Sequence, residues 1–193
     1  MTFENTIIYL LGYPGTGKYS IGKEICRQYP EFHLVDNHLI NNPLFSIIKA
    51  DGITPLPKTI WKNVGKIWDA VLDTMVNISP KNFSFVMTNA LFKSEEEIAW
   101  YNEVAQMAST RDSLFIPIVL TISLEEHKKR ISTQERKDRF KDINPELPNQ
   151  CAKENNLFIP SHPNLFMLDV SIISPEISSQ KIIAHINGLK GKL

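Results

Sequence analysis

Nine residues near the start of the chain, Gly12-Tyr-Pro-Gly-Thr-Gly-Lys-Tyr-Ser20, restrict its fold more than any other stretch. They follow a continuous apolar run, Thr6–Leu11, and open a segment, Ser20–Tyr29, whose Ile21 and Ile25 recur at helical spacing. Glycine tolerates backbone angles that other residues resist, so Gly15 and Gly17 allow successive peptide N–H groups to turn inward. The helix that follows adds the positive end of its dipole. The G-x-x-x-x-G-K spacing in a strand–turn–helix setting predicts a phosphate cradle, with Lys18 reaching the terminal phosphates of ATP. Gly12, Tyr13, Pro14, Gly15, Thr16, Gly17, Lys18, Tyr19 and Ser20 are the expected nucleotide contacts.

The rest of the chain continues the alternation. Apolar runs at Thr6–Leu11, His33–Asp36, Phe83–Thr88, Phe115–Ile122 and Leu165–Val170 have strand length and are mostly continuous, as suits strands buried on both faces. Helical patterns fall between them at Ser20–Tyr29, Lys58–Ile78, Ser94–Thr110, Leu124–Lys141 and Pro175–Leu189. Ser94-Glu-Glu-Glu97 is a capping box with an acidic first turn. The pattern predicts an α/β fold: a five-stranded parallel sheet, helices on both faces and a short lid. With 193 residues, no repeat and no low-complexity linker, residues 1–193 are expected to form one domain. Leu39–Pro57 and Arg130–Pro163 are expected to be insertions over the sheet edge, where substrate covers are built.

Beyond the loop, chemistry-bearing residues gather at strand ends. Ligands of open parallel sheets bind beyond the carboxyl ends of the strands. Asp36 and His38 close the second run and Thr88-Asn89 the third, so Asp36, His38 and Asn89 are candidate substrate contacts. Asp36 can accept the proton of an attacking hydroxyl as a phosphoryl group moves. A turn or helix cap is the plain structural alternative for Asp36 and Asn37. The basic stretch His127–Lys141 holds Arg130, Arg136 and Arg139; planar guanidinium groups complement a phosphoryl group in flight, although a charge run can also be a solvated helix face. Trp61 and Trp68, seven residues apart on one helical pattern, read as core, with a ring-stacking platform as the alternative.

The loop resembles that of adenylate kinases and their nucleoside monophosphate kinase relatives, which share the Pro-Gly-x-Gly-Lys core with a hydroxyl residue one place after the position following the lysine. Gly12–Ile25 is also similar to shikimate kinase and chloramphenicol phosphotransferase. The usual Ser or Thr directly after the lysine is replaced here by Tyr19, with Ser20 next. The resemblance implies a P-loop small-molecule or nucleotide kinase using ATP and Mg2+. It implies metal contacts at Ser20 and Asp36, lid arginines in the order Arg136, Arg139, Arg130, and an adenine site near Asp169–Ser171. The strand-end carboxylate that many P-loop NTPases carry is replaced by Thr88-Asn89, which points away from motor-type hydrolases.

Charge and composition bound the partners. The 21 basic and 21 acidic residues cancel, so neither nucleic acid nor an anionic membrane is an expected partner. No segment approaches the roughly 20 apolar residues of a membrane span, and Met1–Asn5 lacks a secretory pattern, so a cytoplasmic monomer or homodimer is expected. Cys26 and Cys151 are too few and too far apart for a disulfide framework or zinc site. A nucleotide-binding regulator without catalysis and an NTPase acting on macromolecules remain as rival readings.

Overall fold

Parallel strands buried on both faces need helices on each side, and the computed structural model has them. It describes residues 2–191. Five strands, β1 (Thr6–Gly12), β2 (Phe32–Asp36), β3 (Ser84–Asn89), β4 (Leu114–Thr121) and β5 (Phe166–Asp169), form one parallel sheet in the order β2-β3-β1-β4-β5. Central β1 is buried along its whole length. Its residues alternate between two cores, as the two-residue period of a strand requires. Ile7, Tyr9 and Leu11 meet α3 (Ile60–Asn77) and α4 (Glu95–Thr110); Ile8 and Leu10 meet α1 (Lys18–Gln28) and α8 (Pro175–Lys190). Each fully buried side chain of this kind contributes about 1.5–3 kcal/mol.

Ser94 caps α4 by accepting the N–H of Glu97. The reciprocal half of the capping box reaches further back than expected: Glu97 Oε2 accepts the N–H of Phe92 at 2.7 Å. The β3–α4 loop is thereby pinned, and Phe92 forms an antiparallel bridge to Leu157.

Two expectations are corrected. The helix predicted over Leu124–Lys141 is two helices, α5 (Leu124–Ile131) and α6 (Gln134–Asp138), broken at Ser132-Thr133. Arg136 takes the carbonyl of Ile131, left without a helical partner at the break, at 3.0 Å. The two segments read as insertions also carry helices: α2 (Asn37–Phe45) directly after β2, and α7 (Leu147–Glu154) after the basic stretch. In α2, Pro43 and three asparagines obscure the helical period; Ile40 and Phe45 bury the face that packs on α3. The segment Leu39–Pro57, a cap over the sheet edge, and the lid segment Arg130–Pro163 touch across the cleft, where Ile143 N–H donates to the Gly52 carbonyl at 2.8 Å.

Candidate active site

The strand register builds the site. Leu11 of β1 lies beside Asn89, and Asp36 beside Thr88, so Gly12, Asp36 and Asn89 reach one edge of the sheet together. A cavity of about 1210 Å3 opens above that edge.

The loop residues divide by role. Gly12, Gly15 and Gly17 all have positive φ (154°, 95° and 87°). A Cβ at Gly12 would lie 2.8 Å from the Leu120 carbonyl oxygen, so no other residue fits without backbone movement. Thr16 is fully buried and closes the turn by donating to the Tyr13 carbonyl at 2.9 Å. The Tyr13 ring turns away from the cavity; its hydroxyl donates to the Cys151 carbonyl at 3.3 Å and accepts the Leu157 N–H at 3.0 Å. Both residues therefore shape the loop with their side chains. Pro14, Gly15, Gly17, Lys18, Tyr19 and Ser20 line the cavity itself. The first N–H groups of α1, at residues that line it, have no intrahelical acceptor.

Lys18 donates to the carbonyls of Gly12 (2.6 Å) and Tyr13 (2.9 Å). Burial, then the cations Arg136 and Lys141, push its ammonium down to about 7, against the pull of Asp36. Asp36 is 1 % exposed; it accepts the Thr88 hydroxyl at 2.7 Å on one oxygen and Arg139 at 2.9 Å on the other. The Arg139 guanidinium also lies 3.3 Å from the centre of the Tyr19 ring, with Lys141 4.8 Å from the same ring. Tyr19, the departure in the loop, thus serves as the platform for the lid arginine that meets Asp36.

The three arginines occupy different positions. Arg139 is the one paired to Asp36. Arg136 lines the cavity but is held by the carbonyls of Ile131 and Asp142, the latter at 2.6 Å. Arg130 bonds Glu126 at 2.8 Å and the Val170 carbonyl at 2.9 Å, tying the β5–α8 loop to the loop edge near Gly17. His38 lines the cavity and donates Nδ1–H to Asn42 at 3.1 Å; burial pushes it down to about 4, leaving a neutral ring. Asn89 lines the cavity as well, with its amide donating to the Tyr9 hydroxyl at 3.2 Å.

Two contributors escaped the sequence reading. Lys141 was only the end of a basic run; in the fold it joins the cation cluster, and burial brings it down to about 8. His127 looked like one charge among many, yet it is buried, donates Nε2–H to the Pro14 carbonyl at 2.6 Å and stacks on Tyr13. Its place on the inner face of α5, three residues before Arg130, is a weak periodic signal that was available. Among the described residues no cluster of three acidic, thiol or imidazole groups could hold a metal ion, and no helix is long and apolar enough to cross a membrane.

No protein-family model matches the chain, and no curated protein matches it. Solved structures do. A gluconokinase from Sinorhizobium meliloti superposes with a TM-score of 0.64 at 14% identity, covering 98% of this chain and 95% of that one. A sugar kinase from a Janibacter species gives 0.61 at 14% identity, covering 95% of each chain. An APS kinase from Mycobacterium tuberculosis, solved with AMPPNP and APS, gives 0.59 at 13% identity, covering 95% of this chain and 98% of that one. With its parallel five-stranded sheet and glycine loop at the C-terminal edge of β1, the chain has the fold of the P-loop small-molecule kinases.

Proposed function

We propose that the protein is an ATP-dependent phosphotransferase that moves the γ-phosphoryl group of ATP to the hydroxyl of a small molecule. One observation carries this reading: Lys18, Arg139 and Asp36, from the loop, the lid and the end of β2, line a single cavity. The loop N–H groups and Lys18 hold the polyphosphate, and Arg130, beside Gly17, steadies the nucleotide. Asp36 orients the acceptor hydroxyl and takes its proton. The acceptor oxygen bonds to the γ-phosphorus while the bond to the β–γ bridging oxygen breaks, its electron pair leaving with ADP. Arg139 and Lys141 complement the charge spread over the transferring group. His38 and Asn89 bound the acceptor side. Closure of the lid on the cap, held by Gly52 and Ile143, keeps water from the reacting group.

Magnesium fits only in a restricted way. Ser20 presents an exposed hydroxyl at the cavity and Asp36 a carboxylate already engaged by Arg139, so these two would touch a metal that stays largely bound to water and phosphate. When bound there it supplies charge neutralisation to the phosphates.

The test pairs calorimetry with a phosphoryl-transfer assay. Asp36→Asn should keep ATP affinity within a few-fold and lower kcat by about 100-fold or more. Wild-type protein that binds no ATP, or Asp36→Asn protein with undiminished kcat, refutes the reading. The ion pair of Asp36 with Arg139 favours one alternative, a nucleotide-binding regulator; tight ATP binding without transfer to any acceptor would select it.

A further inference from the structure

The cavity has two chemically different ends. Lys18, Arg130, Arg136, Arg139 and Lys141 gather at the loop end. The opposite end, between α2, α3 and α4, is walled by Phe45, Trp61, Trp68, Leu91, Phe92 and Trp100. Phe45 and Trp61 meet edge to face at 6.1 Å, and Trp68 and Trp100 lie 5.4 Å apart. All 3 tryptophans of the chain line this one cavity. Trp61 is 44% exposed and Ile53 of the cap 58%, so apolar surface is left open toward the cleft. The charged groups at this end are Glu96, Glu97 and the exposed Lys58. No arginine stands there among the described residues lining the cavity.

Phosphate-bearing and carboxylate-bearing acceptors need arginine forks or helix N-termini at their second anion. Polyols need many converging polar groups to replace lost water, because each unpaired hydroxyl costs free energy. The aromatic walls stand beside the acidic first turn of α4, the one exposed lysine Lys58 and the amides of Asn37 and Asn41, which is too little for either. They suit a flat apolar body, and they tolerate an amine, which the ring faces and Glu96 or Glu97 would favour. The total volume of about 1210 Å3 exceeds the usual single-ligand pocket, leaving room for such a body beside a nucleotide.

We infer that the acceptor is an alcohol carrying an aromatic or fused-ring apolar body and no phosphate or carboxylate, seated between α2, α3 and α4 with its hydroxyl at Asp36. This rests on the kinase reading above: the hydroxyl oxygen becomes the phosphate ester, its proton passes to Asp36, and ADP leaves. Specificity comes from the aromatic end, whose walls come from the cap-side helices α2 and α3 and from α4 with the loop before it.

The tryptophans make the test direct. With a non-hydrolysable ATP analogue present, 4-nitrobenzyl alcohol, which quenches indole emission on contact, should quench saturably. Gluconate and AMP at equal concentration should leave the emission unchanged. Trp61→Ala should weaken the alcohol's binding about tenfold with unchanged Tm, while Trp61→Phe restores it. In an ADP-release assay aromatic alcohols should be turned over and gluconate and AMP should not. Turnover of gluconate or AMP in preference to aromatic alcohols overturns the acceptor class and leaves the kinase reading standing. Saturable quenching without turnover of any alcohol supports the aromatic site and overturns the kinase reading. Quenching that is unsaturable, or unaffected in Trp61→Ala, overturns the site itself.

Discussion

Binding of ATP above neutral pH should draw protons from solution, because Lys18 is held partly discharged. Burial, Arg136 and Lys141 bring its ammonium down to about 7. At pH 8 a group of that pKa is about one-tenth charged, while a polyphosphate beside it restores the ordinary value of about 10.4. The uptake from Lys18 is therefore about 0.9 proton per nucleotide. Lys141, down to about 8, is half charged at pH 8 and adds up to about 0.5. At pH 6 both are charged already, and the two together contribute about 0.1. Calorimetry of ATP binding in buffers of different ionisation enthalpy reads this number as a slope. Lys18→Met should remove about 0.9 of it and leave the Lys141 share. The sign extends to stability. Unfolded Lys18 keeps its proton up to about pH 10.4, whereas the folded protein releases it above about 7, so in that window the unfolded state binds more protons. The ligand-free fold should gain stability as pH rises through the window, with the penalty complete below it. Tight wild-type binding at pH 8 with a slope near zero would refute the account of Lys18.

Two further outcomes are expected. Tyr19→Phe should stay within about twofold of wild type in kcat, whereas Tyr19→Ser, which restores the usual hydroxyl, should lower kcat about tenfold by removing the ring that holds the Arg139 guanidinium; an active Tyr19→Ser protein would refute that role. Arg111 is buried, donates to the carbonyls of Met75 in the last turn of α3 and of Pro80 just beyond it, and lies 5.2 Å from the centre of the Phe85 ring. Arg111→Met should cost about 3 kcal/mol, or roughly 6–12 °C in Tm, measured by thermal unfolding.

Legibility differed from one element to the next for physical reasons. The central strands β1, β3 and β4 were plain because both faces of each are buried, which forces continuous apolar runs: Thr6–Leu11 was expected and Thr6–Gly12 is found. Helix α3 was plain because Val64, Trp68 and Met75 keep the helical period. Helix α2 was not, since asparagines and Pro43 break that period and packing against α3 decides its state. The loop was read from local spacing alone. Asp36 followed from its place at a strand end, but its pairing with Arg139, 103 residues away, had no local signature. The ranking of the lid arginines gave no hint that Arg136 would spend its guanidinium on the carbonyls of Ile131 and Asp142, because one unbroken helix was expected over that stretch and the break after α5 brings them within reach.

The sequence by itself determined the phosphate loop, the alternation of strand and helix, and a carboxylate at the end of β2. These depend on neighbours within a few residues, where chain geometry is fixed by residue type. Only the tertiary structure decided the sheet order, the seating of Arg139 on Tyr19, the prop of His127 under Pro14 and the gathering of all 3 tryptophans around one cavity. Those contacts join segments far apart in the chain, and their formation depends on how two cores close around a common sheet.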